Sequence, residues 1–185
     1  MKPLDAVSVT NWLSSQPGPV LTWVGAAEDD STRERVELSG PVARRWLAKT
    51  DNFLAAEFPF GASSFFAALP AHWRTPLWIA SGWLRGMTLE TPETAENVDL
   101  CVSDDLGFLE EVRYRLDPEV LVAQTSDSFA LQWPGELPLN LTDGIAEILS
   151  FGDFVEDPHT PDPQTLIAGD QRGWTLTDLV QRDFV

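Results

Sequence analysis

Short, evenly apolar runs alternate with helical segments along the middle of the chain. "SFFAALP" and "MTLET" enclose the helical pattern "TPLWIASGWL", and "VDLCVS" and "EVLVAQT" enclose "DDLGFLEEVRYRL". Runs that are apolar without alternating are typical of strands covered on both faces. Strand, helix, strand in this order favours right-handed crossovers between parallel neighbours. The sequence therefore predicts an α/β domain with a largely parallel sheet flanked by helices.

A β-hairpin and two helices are predicted ahead of that sheet. Residues 5–14 show a short helical pattern, and "VLTWV" and "RVEL" read as two strands joined by the polar loop "GAAEDDSTRE". Ser39 followed by Pro41 is a helix-start signal, because the hydroxyl can cap free amides and proline loses no donor in the first turn. The second helix is predicted to run to about Glu57, where "FPFGAS" breaks the pattern.

The helix after "SFFAALP" has two possible starts. Either it begins near Ala71 with Pro76 inside it, or Thr75 caps it and Pro76 is the first helical residue, which costs less. Gly86 is predicted to end this helix. Further along, "FALQW" is strand-like, and "LTDGIAEILSFG" is helical with a predicted cap at Thr142.

The charge balance excludes several classes of partner. The chain has 29 acidic and 12 basic residues and a formal charge of -17, so phosphate backbones and anionic lipid surfaces repel it. We expect neither nucleic acid nor a membrane as partner, and no run approaches the roughly 20 apolar residues of a membrane span. Cys101 is the only cysteine, so no internal disulfide can form. These features predict a cytoplasmic protein.

Candidate binding residues cluster at the turn between the first predicted strand of the sheet and its helix. In α/β folds ligands often bind at such turns. The three tryptophans of this region fit two interpretations, packing inside the fold or an exposed aromatic patch that binds a partner. The candidate ligand or partner surface consists of His72, Trp73, Arg74, Thr75, Trp78 and Trp83.

No catalytic or metal site is signalled. His72 and His159 are the only histidines and lie far apart in the chain, and His159 has only flexible acids beside it. Asp104 and Asp105 are adjacent and therefore point in different directions. "ASGW" lacks the glycine pattern of a nucleophile elbow. We expect no metal, no cofactor and no catalytic residue.

The end of the chain partly repeats its beginning. "WTLTDLVQRDF" is similar to "VELSGPVARRW". Aligning the two segments pairs Ser39 with Thr177, Arg44 with Arg182 and Trp46 with Phe184. "EDPHTPDPQ" precedes the second copy and reads as a linker. The predicted division is an α/β domain over residues 1–155 and, over 156–185, a linker with a short hairpin-helix segment, a possible truncated repeat of 18–46.

Several of these segments carry a resemblance to a known superfamily. "VLTW", "VELSGPVARRWLAKTDNFLAAEF", "AALPAHWRTPLWIASGWLRGM" and the late "TLIAGDQRGWTLTDLV" resemble the N-terminal part of the AMP-forming acyl-CoA synthetases, or adenylate-forming ligases. They are similar above all to a short bacterial family, mostly of high-GC Gram-positive lineages, that keeps this subdomain alone. The resemblance is strongest over residues 18–105 and implies the fold of that N-terminal subdomain.

What the resemblance implies about activity depends on motifs that the sequence does not match. The superfamily's phosphate loop is rich in Ser, Thr and Gly and ends in Pro-Lys-Gly, whereas the lysines here are Lys2 and Lys49, outside any such context. The lysine of the superfamily's C-terminal lobe has no counterpart either. We therefore expect a non-catalytic accessory or regulatory domain that binds a protein, such as a genuine synthetase. The alternatives are a module that binds a nucleotide or acyl group at residues 70–75, and a synthetase-type enzyme active alone.

Overall fold

The computed structural model describes residues 4–26, 33–91, 95–165 and 174–181. The helices are α1 (Ala6–Ser14), α2 (Gly40–Glu57), α3 (Thr75–Leu84), α4 (Leu106–Leu116), α5 (Gly144–Ser150) and α6 (Leu176–Gln181). The strands are β1 (Pro19–Val24), β2 (Arg35–Ser39), β3 (Ser64–Ala68), β4 (Thr88–Leu89), β5 (Leu100–Ser103), β6 (Val120–Ala123) and β7 (Thr142–Asp143).

A five-stranded sheet in the order β4-β3-β5-β6-β7 forms the centre of the molecule. Every pair of neighbours in it is parallel, and Cys101 of β5 lies between Phe66 of β3 and Leu121 of β6. All four residues of β5 and all four of β6 are buried, as expected for strands covered on both faces. The prediction of an α/β fold with a largely parallel sheet is confirmed.

The predicted hairpin is also present. Strands β1 and β2 pair antiparallel, with Trp23 opposite Val36. Val20, Trp23 and Val36 pack against a buried cluster that includes Leu13 of α1 and Leu47 of α2. The hairpin is therefore held on the domain by apolar contacts with α1, α2 and α3.

Alternate residues of the strands face two separate cores. Phe65, Leu100 and Val122 join Trp78 of α3 and Ile148 of α5 in one buried cluster, together with residues of α2. The intervening strand residues Phe66, Cys101 and Leu121 pack against Leu109 and Val112 of α4 on the opposite face. The period-two alternation of a strand thus yields a three-layer arrangement of helices, sheet and helix.

The predicted helix caps Thr142 and Thr75 are wrong. Ser39 does occupy the cap position of α2, but its side chain makes no cap hydrogen bond. Asp143, rather than Thr142, caps α5 by accepting hydrogen bonds from the amides of Ile145 and Ala146. Pro41 lies in the first turn of α2, as predicted. At α3 the helix begins at Thr75, but the Thr75 hydroxyl donates to the Pro70 carbonyl 2.7 Å away.

The segment "FALQW", predicted as strand-like, is irregular in the structure. It belongs to the connection between β6 and β7, whose backbone carbonyls accept hydrogen bonds from the side chain of Arg74. The other strands and helices predicted within the described residues are present, although several are a few residues shorter than predicted, and the turn at Gly86 has a φ of 78°.

The segment predicted as a linker packs against the domain. The Glu156 amide donates to Asn52 Oδ1 of α2 over 2.9 Å, and Arg85 pairs with Asp157. At α6 the hydroxyl of Thr175 accepts from the Asp178 amide, so Thr177 does not hold the cap position that Ser39 has at α2. Arg182 and Phe184 lie outside the described residues, and the internal repeat stays a prediction.

Candidate functional site

Between β3 and β5, the chain connections at the carboxyl edge of the sheet lead in opposite directions. The chain passes from β3 to β4 on one side and then crosses to β5 on the other. In open α/β sheets ligands bind in the crevice at such a point, beyond the carboxyl ends of the strands. The loop after β3, residues 69–74, contains three of the six candidate residues and leads directly into a fourth, Thr75.

His72 is enclosed at this edge. Its Nε2 lies 3.1 Å from the hydroxyl of Ser128, and the Arg74 amide donates to its Nδ1 over 3.4 Å. Because Nδ1 accepts, the proton of a neutral ring is on Nε2 and is donated to Ser128. Trp23 of the hairpin places the edge of its ring against His72, with the centroids 4.8 Å apart, and donates from Nε1 to the Ala71 carbonyl.

The environment of His72 keeps its imidazole neutral. Burial, and then the positive charge of Arg74, lowers the pKa of His72 to about 4. At physiological pH the ring carries no charge and both of its nitrogens are occupied by the fold. A role for His72 in holding an anionic phosphate at this turn would require the charged form, which the site disfavours.

Arg74 is buried, with 3% of its surface exposed. Its Nη1 donates to the carbonyls of Thr125 and Asp127, and its Nη2 donates to those of Ser128 and Ala130. All four acceptors lie in one stretch after β6. We name residues 125–131 the anchored loop, because a single guanidinium holds its backbone.

The charge of Arg74 is buried without an ion pair to any of the described residues. The guanidinium carbon lies 4.4 Å from the centroid of the Trp73 ring and 5.8 Å from that of Trp46. Burial lowers the pKa of Arg74 to about 10, so it stays protonated at neutral pH. Carbonyl dipoles and aromatic ring faces therefore compensate the charge of Arg74. Arg35, Lys49 and Arg85, in contrast, pair with carboxylates.

The space behind this loop is filled by side chains. Trp78 Nε1 donates to Gln124 Oε1 over 2.9 Å, and the Gln124 amide group donates to the Thr125 carbonyl. The cavity that Arg74, Trp78 and Gln124 help to line has a volume of about 10 Å³. A volume of that size is at the lower limit for one water molecule. Trp73 Nε1 and Arg74 Nε are both buried and have no hydrogen-bond partner among the residues that the structure describes.

The structure brings most of the predicted site residues together. His72, Trp73, Arg74 and Thr75 form one turn, with Trp78 beside it across Gln124. Trp83 lies apart, half-buried against the core cluster of Phe53 and Phe65. Trp73 and Trp78 are buried, as the packing interpretation of the tryptophans predicts.

The anchored loop contains surface residues that the sequence analysis did not single out. Phe129 and Leu131 are 78% and 74% exposed, while Ser128 between the Arg74 contacts is buried. The Asp127 carboxylate accepts from the Phe129 amide, and Asp104 after β5 accepts from the Ser126 hydroxyl over 2.6 Å. The apolar alternation of "FALQW" is the available signal, and by itself it favours a strand.

In the part of the chain that the structure describes, no group of three or more His, Cys, Asp or Glu side chains could hold a metal ion. Nor is any described helix long and apolar enough to cross a membrane.

Comparisons with known proteins relate the chain to one class of fold. No family model matches it. The chain is 34% identical over 148 residues to the TIGR03089 family protein of Mycobacterium tuberculosis; the match covers 79% of the chain but 59% of that relative's length. A crystal structure of a Brucella canis acyl-CoA synthetase superposes with a TM-score of 0.63 at 14% identity. That superposition covers 90% of this chain and 31% of the synthetase, so the chain has the fold of a part of that enzyme.

Proposed function

We propose that this chain is a non-catalytic protein-binding domain that acts as an accessory or regulatory partner of an adenylate-forming enzyme. The observation that carries the proposal is the anchored loop, on which Arg74 holds the backbone while Phe129 and Leu131 project into solvent. Binding to a protein costs the ordering of every loop and side chain that is mobile beforehand. Because a buried guanidinium already fixes the backbone of this loop, the loop loses little further conformational entropy on binding.

The chemistry of this surface specifies the partner. An exposed aromatic ring and an exposed leucine gain free energy when an apolar pocket of a partner removes them from water. Asp104 and Asp127 flank them, and the whole chain carries a formal charge of -17. The matching surface is therefore an apolar pocket with a basic rim. We infer an enzyme of the adenylate-forming class as partner, because the fold of this chain is that of a part of an acyl-CoA synthetase.

The small volume left between the described side chains at this edge supports the non-catalytic part of the proposal. Where an α/β enzyme of this topology would hold its substrate, this chain places Arg74, Trp78 and Gln124 around a cavity of about 10 Å³. Lys49, a lysine within the described residues, forms an ion pair with Asp153 at 3.1 Å and donates to the carbonyls of Leu149 and Phe151. We propose that the domain acts without a cofactor and binds no nucleotide.

The test compares two surface variants in an affinity purification from the source organism. Phe129→Ser with Leu131→Ser removes both anchors, and Tyr114→Ser removes an equally exposed aromatic ring near the end of α4. We expect wild type and Tyr114→Ser to retain an adenylate-forming enzyme in near-equal amount and the double variant to lose it. Identical retention by all three proteins would contradict the proposal.

A second measurement addresses the absence of catalysis and nucleotide binding. We expect no change in melting temperature with ATP, AMP or an acyl-CoA, and no ATP–pyrophosphate exchange by the isolated chain. A saturable shift with any of these ligands would favour the alternative of a nucleotide- or acyl-binding module at residues 70–75.

A further inference from the structure

A second cleft lies at the opposite, amino edge of the sheet. It is formed where α2 ends, where α3 ends and where the segment after α5 returns to the domain, and its volume is about 260 Å³. An apolar cavity of about 150 Å³ is sufficient for a benzene ring. The amino-edge cleft therefore has room for one aromatic ring with a short side chain.

One side of the amino-edge cleft is apolar. Leu54, Phe58 and Met87 line it and belong to the buried core. At its rim the Gly61 amide donates to the Phe58 carbonyl over 3.0 Å, and this turn leaves the Phe60 ring fully exposed. Proline follows Phe58 in the turn, and Gly61 has a φ of 87°, so the residue types fit its geometry. The turn thus places an aromatic ring at the rim of the cleft, next to its apolar side.

The polar wall of the cleft consists of His159 and an ion-pair network around Arg85. Arg85 donates from Nε and Nη2 to the two carboxylate oxygens of Asp51, over 2.9 and 2.8 Å. Its Nη1 donates to Asp157 Oδ2 over 3.1 Å, and its Nη2 also donates to the Asp157 carbonyl. Asp51 is fully buried, and the side chain of Asp157 is 73% exposed. Within the described residues, Asp157 Oδ1 has no hydrogen-bond partner.

The charge of this wall favours a cation. The network holds two carboxylates against one guanidinium, so its formal charge is negative. Acidic residues also surround the end of α2, where burial, followed by the charges of Glu147 and Glu119, raises the pKa of Glu57. The formal charge of -17 on the whole chain adds to the same potential and concentrates cations near the surface.

We propose that the amino-edge cleft binds a small organic cation, an ammonium nitrogen carried on an aromatic or branched apolar body. The apolar body fills the space against Leu54, Phe58 and Met87, while the nitrogen lies at Asp157 Oδ1 and within reach of the Phe60 ring face. A carboxylate and an aromatic face together are the groups that recognise an ammonium ion. This site is separate from the anchored loop and does not depend on the proposed partner.

Three probes of matched shape test the charge preference. We would titrate the intact chain with 3-phenylpropylamine, 3-phenylpropan-1-ol and 3-phenylpropanoate at pH 7.5 and low salt, following binding by calorimetry and by amide chemical shifts. We expect the amine to bind about tenfold more tightly than the carboxylate, with the alcohol between them, and the shifts to concentrate at residues 54–62 and 85–87. Equal or tighter binding of the carboxylate, or no binding of any probe, would overturn the proposal.

Variants locate the recognition. Asp157→Asn should weaken the amine about threefold to fivefold and leave the alcohol unchanged, because an exposed ion pair has that modest strength. Phe60→Ala should weaken amine and alcohol alike. Glu136→Gln removes one exposed acid outside the cleft and should change neither affinity. If Asp157→Asn keeps the full preference for the amine, the assignment of the nitrogen to this carboxylate is wrong.

Discussion

Replacing Arg74 by methionine should separate the anchored loop from the domain. Methionine keeps an unbranched stem that can pack on the Trp73 ring, but it provides no donor. The carbonyls of Thr125 and Ser128 would lose partners at 3.2 and 3.1 Å, and that of Asp127 would lose a shorter one. The backbone of the loop would then depend on water for its hydrogen bonds.

The magnitude follows from these contacts. Leaving a buried acceptor unpaired costs about 1–3 kcal/mol, so the buried carbonyls of Thr125 and Ser128 together give about 2–6 kcal/mol. Loss of the cation–π contact at 4.4 Å adds about 1–2 kcal/mol. Entry of water and relief from burying a charge offset about half of this sum. We expect Arg74→Met to lower the free energy of unfolding by about 2–4 kcal/mol.

Urea denaturation followed by tryptophan fluorescence and circular dichroism measures this change. Arg45→Met is the matched control, because Arg45 is exposed and has no partner among the described residues; its effect should stay within about 0.5 kcal/mol. Hydrogen exchange in Arg74→Met should accelerate first at the amides of residues 126–130. If Arg74→Met loses less than about 1 kcal/mol, the guanidinium does not hold the loop and the argument for preorganisation fails.

Three further measurements test the packing and electrostatics. The pKa of His72 is lowered to about 4 from its usual 6.5, so the unfolded chain binds a proton that the folded chain does not, and stability should fall by about 3 kcal/mol as the pH drops from 7 to 4. His72→Gln should remove that dependence; the difference between the two proteins isolates it from Asp51, whose raised pKa acts in the opposite direction. Gly82→Ala should cost about 1–3 kcal/mol in a thermal or urea melt despite the higher helix propensity of alanine, because the added Cβ would lie 2.6 Å from the buried Phe65 ring; an unchanged melt would show that this ring can move. Cys101 is fully buried and its thiol pKa is raised to about 12 by burial, so a thiol reagent should react only as fast as the sheet opens; complete labelling of the native protein within minutes would contradict this.

The fold could be predicted from the sequence because its signals are local. The runs of β3, β5 and β6 are apolar enough to mark strands buried on both faces, and the helix patterns between them fix a parallel order. The hairpin is likewise marked by two short strands around a polar loop. In each case the residues that decide the structure lie within one element or its flanking turns.

The candidate site was only partly predictable, because its decisive contacts join distant residues. Arg74 and the Ser128 carbonyl are separated by 54 positions, and nothing near "FALQW" indicates that an arginine will hold its backbone. His72 was assigned to the correct turn, but its burial depends on Trp23 of the hairpin. The amino-edge cleft was missed for the same reason, since Asp157 lies in a proline-rich segment that the sequence marks as a linker.

An arginine flanks α3 at each end, Arg74 buried and Arg85 half-buried, and this arrangement has a mechanical consequence. Arg74 precedes the helix and is bound to the anchored loop, while Arg85 follows it and is bound to Asp51 of α2. The enclosed helix of 10 residues is about 15 Å long. To slide along its axis by one turn, about 5.4 Å, the helix would have to break both sets of bonds together. A pulling force applied between the carboxyl and amino edges of the sheet would therefore have to break the hydrogen bonds of Arg74 and Arg85 before α3 could shift along its axis.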